Sequence, residues 1–150
     1  MEEIKRLPDG SVLDVNSGGG EGLTVQELVH QLHGRGFNAI IRDVRSTSAL
    51  IALGCCTRRI VPEGLIVLCL GDIRFIGTMH LDNSVCRRAA HFAELVKWQI
   101  RWLEERFPLL IDTLEMCELK LENRTEIRPA RALELGLVHE ICEASPFHIE

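Results

Sequence analysis

Residues 37–54 read FNAIIRDVRSTSALIALG, and the fold turns on them. Phe37 to Val44 has the short apolar centre Ala39-Ile40-Ile41 that predicts a β-strand. Ser46 to about Leu53 predicts a compact apolar helix, and Gly54 ends it. A strand that runs straight into a helix is the repeating step of an α/β layer structure.

The same step recurs on either side. Upstream, SVLDVN (Ser11 to Asn16) predicts a short strand that leads into Gly18-Gly19-Gly20. A helix follows from Thr24, where Thr24 and Glu27 form a capping box and Val25, Leu28, Val29 and Leu32 share one face. Gly34 and Gly36 stop it. Downstream, Ile60-Val61 and Leu65 to Leu70 predict strands, the second apolar on both faces as a buried parallel strand should be. Gly71 to Leu81 takes no assignment. A long helix begins after it, capped by Asp82, Asn83 or Ser84, and runs to about Arg106. Pro108 breaks it before a second helix through about Leu121. A short helix, Pro129 to Leu135, and a strand, Leu137 to Ile141, close the chain around Gly136.

The long helix carries two apolar stripes, one at Val85, Ala89, Phe92, Val96, Ile100 and Leu103, the other at His91, Leu95, Trp98 and Trp102. One stripe is enough to dock a helix on its own domain. A second suggests another helix or another subunit.

Bulk composition narrows the function classes. The 150 residues suit a single domain with its own core. A net charge of -5 with interleaved signs shows no basic face, which argues against nucleic acid or an anionic membrane as partner. The charged opening Met1 to Pro8 has no signal-peptide core, and the longest apolar runs are too short to span a bilayer, so a cytoplasmic protein is expected. Six cysteines (Cys55, Cys56, Cys69, Cys86, Cys117, Cys142) show no C-x-x-C spacing and read mostly as packing residues. His30 and His33, at i and i+3, are close enough to share a metal, but as helix-surface residues they give no reason to expect one.

Three stretches, in order, resemble the Clp protease proteolytic subunit and its relatives, signal peptide peptidase A and the wider crotonase superfamily. Val15-Asn16-Ser17-Gly18-Gly19-Gly20 resembles the strand-end N-S-P-G-G motif, with Gly18 in place of proline. Ser46 to Gly54 resembles the nucleophile helix S-x-[GSC]-A-x-x-x-x-[AG], and Arg58-Arg59-Ile60-Val61 sits where the family places a basic residue and a strand. Ala132 to Ile141 resembles the closing A-x-E-x-G-L-V-D-x-I. The similarity covers about residues 10–142. It lacks the strand and helix that usually precede the glycine motif.

The resemblance implies repeated β-α units around a mainly parallel sheet, with a long helix in the C-terminal half. It implies Ser46 as nucleophile toward a peptide substrate, without a cofactor. Backbone N–H groups of Gly19 or Gly20 and of Thr47 would form the oxyanion hole. Ser46 at a helix start also fits the role of N-cap, and the two roles are compatible.

The family's general base and its orienting acid are not matched. The imidazole belongs near Cys69 or Leu70, and the carboxylate near Asn123-Arg124. His80, about ten residues further on, is the substitute base, oriented by Glu122 or Glu126. Lys97 is the other option, in a Ser–Lys dyad.

Three functions stay open: a serine peptidase, an inactive homologue that assembles with itself or an active subunit, and an acyl-CoA enzyme. The third is disfavoured by the short chain and the lack of an evident adenine site. In the Clp family the long helix joins two rings, and the helix bearing Trp98 and Trp102 is similar to it, so self-assembly is expected.

Overall fold

The computed structural model describes residues 6–17, 25–45, 47–68, 94, 97–113 and 125–143, the side chains of Ser17, Val25 and 111–113 excepted. Two compact units emerge, Met1–Val67 with Glu126–Glu150, and Leu68–Thr125. The first carries a mixed α/β fold. Its elements in order are β1 (Val12–Ser17), α1 (Val25–Gly34), β2 (Asn38–Arg45), α2 (Thr47–Leu53) and β3 (Thr57–Leu68), whose last residue belongs to the second unit. Within the second unit lie α3 (residues 97–106) and α4 (Pro108–Thr113). The closing elements are β4 (Thr125–Ile127), α5 (Pro129–Glu134) and β5 (Glu140–Ile141).

The sheet order is β1-β2-β3-β4, with β5 also pairing with β3. The β1–β2, β2–β3 and β3–β5 pairs are all parallel. Parallel neighbours need crossovers, and α1 and α2 supply the two between β1 and β3.

Burial follows the apolar pattern. On α1, Leu28, Val29 and Leu32 are buried, as their spacing predicts. Each contributes roughly 1.5–3 kcal/mol relative to exposure. Ala39, Ile40, Ile41 and Val44 bury β2, and Leu65 to Leu68 bury the end of β3 on both faces. Helix α2 packs its small apolar side chains almost completely, with Ala49, Ala52 and Leu53 fully enclosed. Gly54 ends it where a Cβ would stand 3.0 Å from Val29 Cγ1, so this position keeps α1 and α2 close.

Helices α1 and α5 close on a glycine in the left-handed region. After α1, Gly36 (φ 70°) donates to His33 O, and Phe37 donates to Leu32 O. After α5, Gly136 (φ 75°) donates to Leu133 O, and Leu137 donates to Ala132 O. This paired closure satisfies carbonyls that the helix leaves open, and a positive φ suits glycine.

Several expected boundaries change. Ile60-Val61 and Leu65–Leu70 are not separate strands, because β3 runs from Thr57 to Leu68. The expected gap survives as a register shift: Ile41 pairs with Ile60 and Asp43 with Leu65, leaving Arg42 opposite Val61-Pro62-Glu63-Gly64. Proline has no N–H for the ladder, so the chain bulges there and resumes. The closing strand shortens to Glu140–Ile141, because Gly136 still belongs to the helix closure. Strand β4 was not anticipated.

On α3 the buried face is Gln99 and Leu103, followed by Phe107 and Leu110, while Ile100 is only half-buried. No helix among the described residues is long and apolar enough to cross a membrane. The start of the long helix, the stretch 71–81 and residues 114–121 of the second helix lie outside the described residues.

Candidate functional site

In the parallel sheet of the first unit, β1 and β2 end at the same edge. Ser17 is level with Val44, and Arg45 is level with Val67 near the end of β3. Ligand sites in parallel α/β sheets lie at such carboxyl edges, where helices and loops begin. The glycine run follows Ser17 directly in sequence, and Ser46 joins Arg45, the last residue of β2, to Thr47, the first of α2. Ser46, Gly18, Gly19, Gly20 and His80 themselves lie outside the described residues.

The strand-to-helix junction is held by a side chain. Ser48 Oγ accepts a hydrogen bond from Arg45 N–H (2.9 Å) and donates one to Arg45 O (2.9 Å). Its hydroxyl spans the junction from inside α2 and is only 5% exposed. A buried hydroxyl needs such partners, and these two bonds use its proton and one lone pair. Ser48 is therefore committed to structure. The motif read from sequence allows serine there, but only the structure shows why the residue matters.

Charges alternate along the same edge. Arg42 Nε pairs with Asp14 Oδ1 at 2.8 Å from β2 to β1, and Arg45 Nε pairs with Asp43 Oδ1 at 3.0 Å along β2. Asn16 Oδ1 accepts from Asp43 N–H at 3.3 Å. Asp43, and after it Glu126, hold the Arg45 guanidinium even more firmly protonated than usual. The R-D-V-R pattern of residues 42–45, with Asp43 and Arg45 two apart on a strand, was the available signal for this cluster.

Away from that edge, the Arg58 side chain is bonded on several sides. The residue is 6% exposed, and its guanidinium donates to Leu137 O (2.6 Å), Cys55 O (2.8 Å), Cys56 O (3.4 Å) and Gly136 O (3.4 Å). Its backbone N–H donates to His139 Nδ1 (3.0 Å), and its carbonyl accepts from His139 N–H (2.8 Å). Nδ1 is thus the acceptor and the ring proton sits on Nε2. His139 is exposed and also ties β5 to β3.

In the second unit, Lys97 is exposed and lies 3.4 Å from Glu94, a solvated surface pair. Trp98 and Trp102 stack with centroids 6.0 Å apart, Phe107 meets Trp102 edge-on at 5.8 Å, and Arg106 lies over Trp102. Among the described residues no group of three or more His, Cys, Asp or Glu is arranged to hold a metal ion. Cys55 and Cys142 are buried, as packing cysteines should be; Cys56 is half-exposed.

No protein-family model and no curated protein matches the sequence. A solved structure does match in shape: a mutant of ClpP1 from Listeria monocytogenes, with a TM-score of 0.64 and 13% identity, over 89% of this chain and 75% of that one. The fold is ClpP-like. The mixed α/β architecture and mainly parallel sheet expected from sequence are those observed. At this identity the likeness concerns the fold alone.

Proposed function

We propose that this ClpP-like chain is a serine hydrolase that cleaves peptide bonds through Ser46. The observation that carries the reading is the junction pinned by Ser48, which turns β2 into α2 across Ser46 at the carboxyl edge of a parallel sheet. In this reading Ser46 Oγ attacks the substrate carbonyl, and His80 takes its proton. Backbone N–H groups of Gly19 or Gly20 and of Thr47 stabilise the oxyanion. The amine leaves with the proton from His80, and water then releases the acyl group from Ser46. Glu122 or Glu126 is the orienting acid in this reading.

Self-assembly belongs to the same proposal. The half-exposed Trp98 and Trp102 on α3 are the surface through which copies of the chain would meet. A second reading, an inactive homologue kept for assembly, is favoured by the sequence after β3, where Cys69 and Leu70 replace the expected imidazole. Hydrolysis of fluorogenic peptides separates the two. Wild type should turn over, and Ser46→Ala should lose at least about a thousandfold in kcat. Equal rates for the two proteins would exclude Ser46 as nucleophile.

A further inference from the structure

We infer that Cys56 is a modification site that forms mixed disulfides with low-molecular-weight disulfides, with His33 as its proton acceptor. Cys56 is the last residue of the turn between α2 and β3, and His33 stands in the last turn of α1. Cys56 Sγ lies 3.6 Å from His33 Nδ1 and 3.1 Å from His33 O. The thiol donates to His33 O, and in the tautomer that leaves Nδ1 without a proton the ring is a second acceptor, the one able to carry the proton away. A nucleophile within reach of a base is the arrangement that activates a thiol, and apo geometry is commonly loose by a few tenths of an ångström.

Access separates this thiol from its described neighbours. Cys56 is half-exposed and His33 exposed, whereas Cys55 is fully buried with its Sγ on Ile51 O, and Cys142 is buried. The reaction is a thiol–disulfide exchange. Cys56 Sγ attacks one sulfur of the small disulfide and forms the new S–S bond as the old one breaks. The Cys56 proton moves to His33 Nδ1 and from there to the departing thiolate. Cys56 is oxidised, half of the small disulfide is reduced, and no other oxidant is needed. Nothing in this chemistry involves Ser46, so it stands apart from the peptidase reading.

The test uses the full chain with oxidised glutathione at neutral pH, time points being mapped by peptide mass spectrometry. Cys56 should acquire the adduct well before Cys55 and Cys142. His33→Gln should slow it at least about five-fold near neutrality and leave the rate unchanged near pH 10, where the thiolate forms unaided. His30→Gln, which alters the imidazole one turn away, should react like wild type. An unchanged Cys56 rate in His33→Gln, an equal loss in His30→Gln, or slower reaction at Cys56 than at Cys142 would each overturn the assignment.

Discussion

Replacing Arg58 should test the packing of the first unit more severely than any other single change. Its guanidinium makes two short bonds, 2.6 Å to Leu137 O and 2.8 Å to Cys55 O, and two longer ones at 3.4 Å to Cys56 O and Gly136 O. Charged hydrogen bonds contribute about 1.5–3 kcal/mol each, so the two short ones alone stand for roughly 3–6 kcal/mol. Part of that is offset, because the substitution also removes the cost of burying a cation. A net loss of about 3–5 kcal/mol is therefore expected for Arg58→Ala, which leaves the carbonyls without their donor. Domains of this size have about 5–15 kcal/mol in all, so the variant should be marginal. Arg58→Lys keeps the charge but not the planar fork, and should recover less than half the loss. Arg58→Met fills the space without donors and should fall near Arg58→Ala. Urea unfolding followed by circular dichroism gives these differences. If Arg58→Met unfolded within about 0.5 kcal/mol of wild type, the clasp would be incidental and the reasoning wrong.

Other perturbations follow from the same geometry. Ser48→Ala removes both bonds to Arg45 and should cost about 1–2 kcal/mol in denaturant unfolding, while slowing fluorophosphonate labelling of Ser46. Unchanged labelling would detach Ser48 from the site. Gly64→Ala places a Cβ 2.5 Å from Ile60 Cγ1 and 2.9 Å from Val61 O, so a loss of about 1–3 kcal/mol is expected in thermal unfolding. Neutral behaviour would mean that the bulge is soft. Trp98→Asp puts a charge on the aromatic face of α3 and should lower the mass seen by light scattering. An unchanged mass, or a monomeric wild type, would remove α3 as the assembly surface.

Much of the fold was legible because it is written in local periodicity. The buried face of α1, the two-sided burial at the end of β3, the tight α2 and the Gly136 closure all follow from spacings of two to four residues. What escaped depends on distant partners. The three residues of β4 gain their strand character from the sheet beside them, and β3 stays continuous because its ladder resumes beyond Pro62. Arg58 was read as a basic residue at a family position, yet its partners Gly136 and Leu137 are 78 and 79 residues away. The candidate site divides the same way. Its serine junction was visible in one motif, while Ser48 as the pin required the folded chain.

The most direct measurement is fluorophosphonate labelling of wild type and Ser46→Ala, read by intact mass. A ClpP-like hydrolase with Ser46 as nucleophile gives one adduct on wild type and none on Ser46→Ala. Well-folded wild type without an adduct, or an adduct that survives in Ser46→Ala, would contradict it.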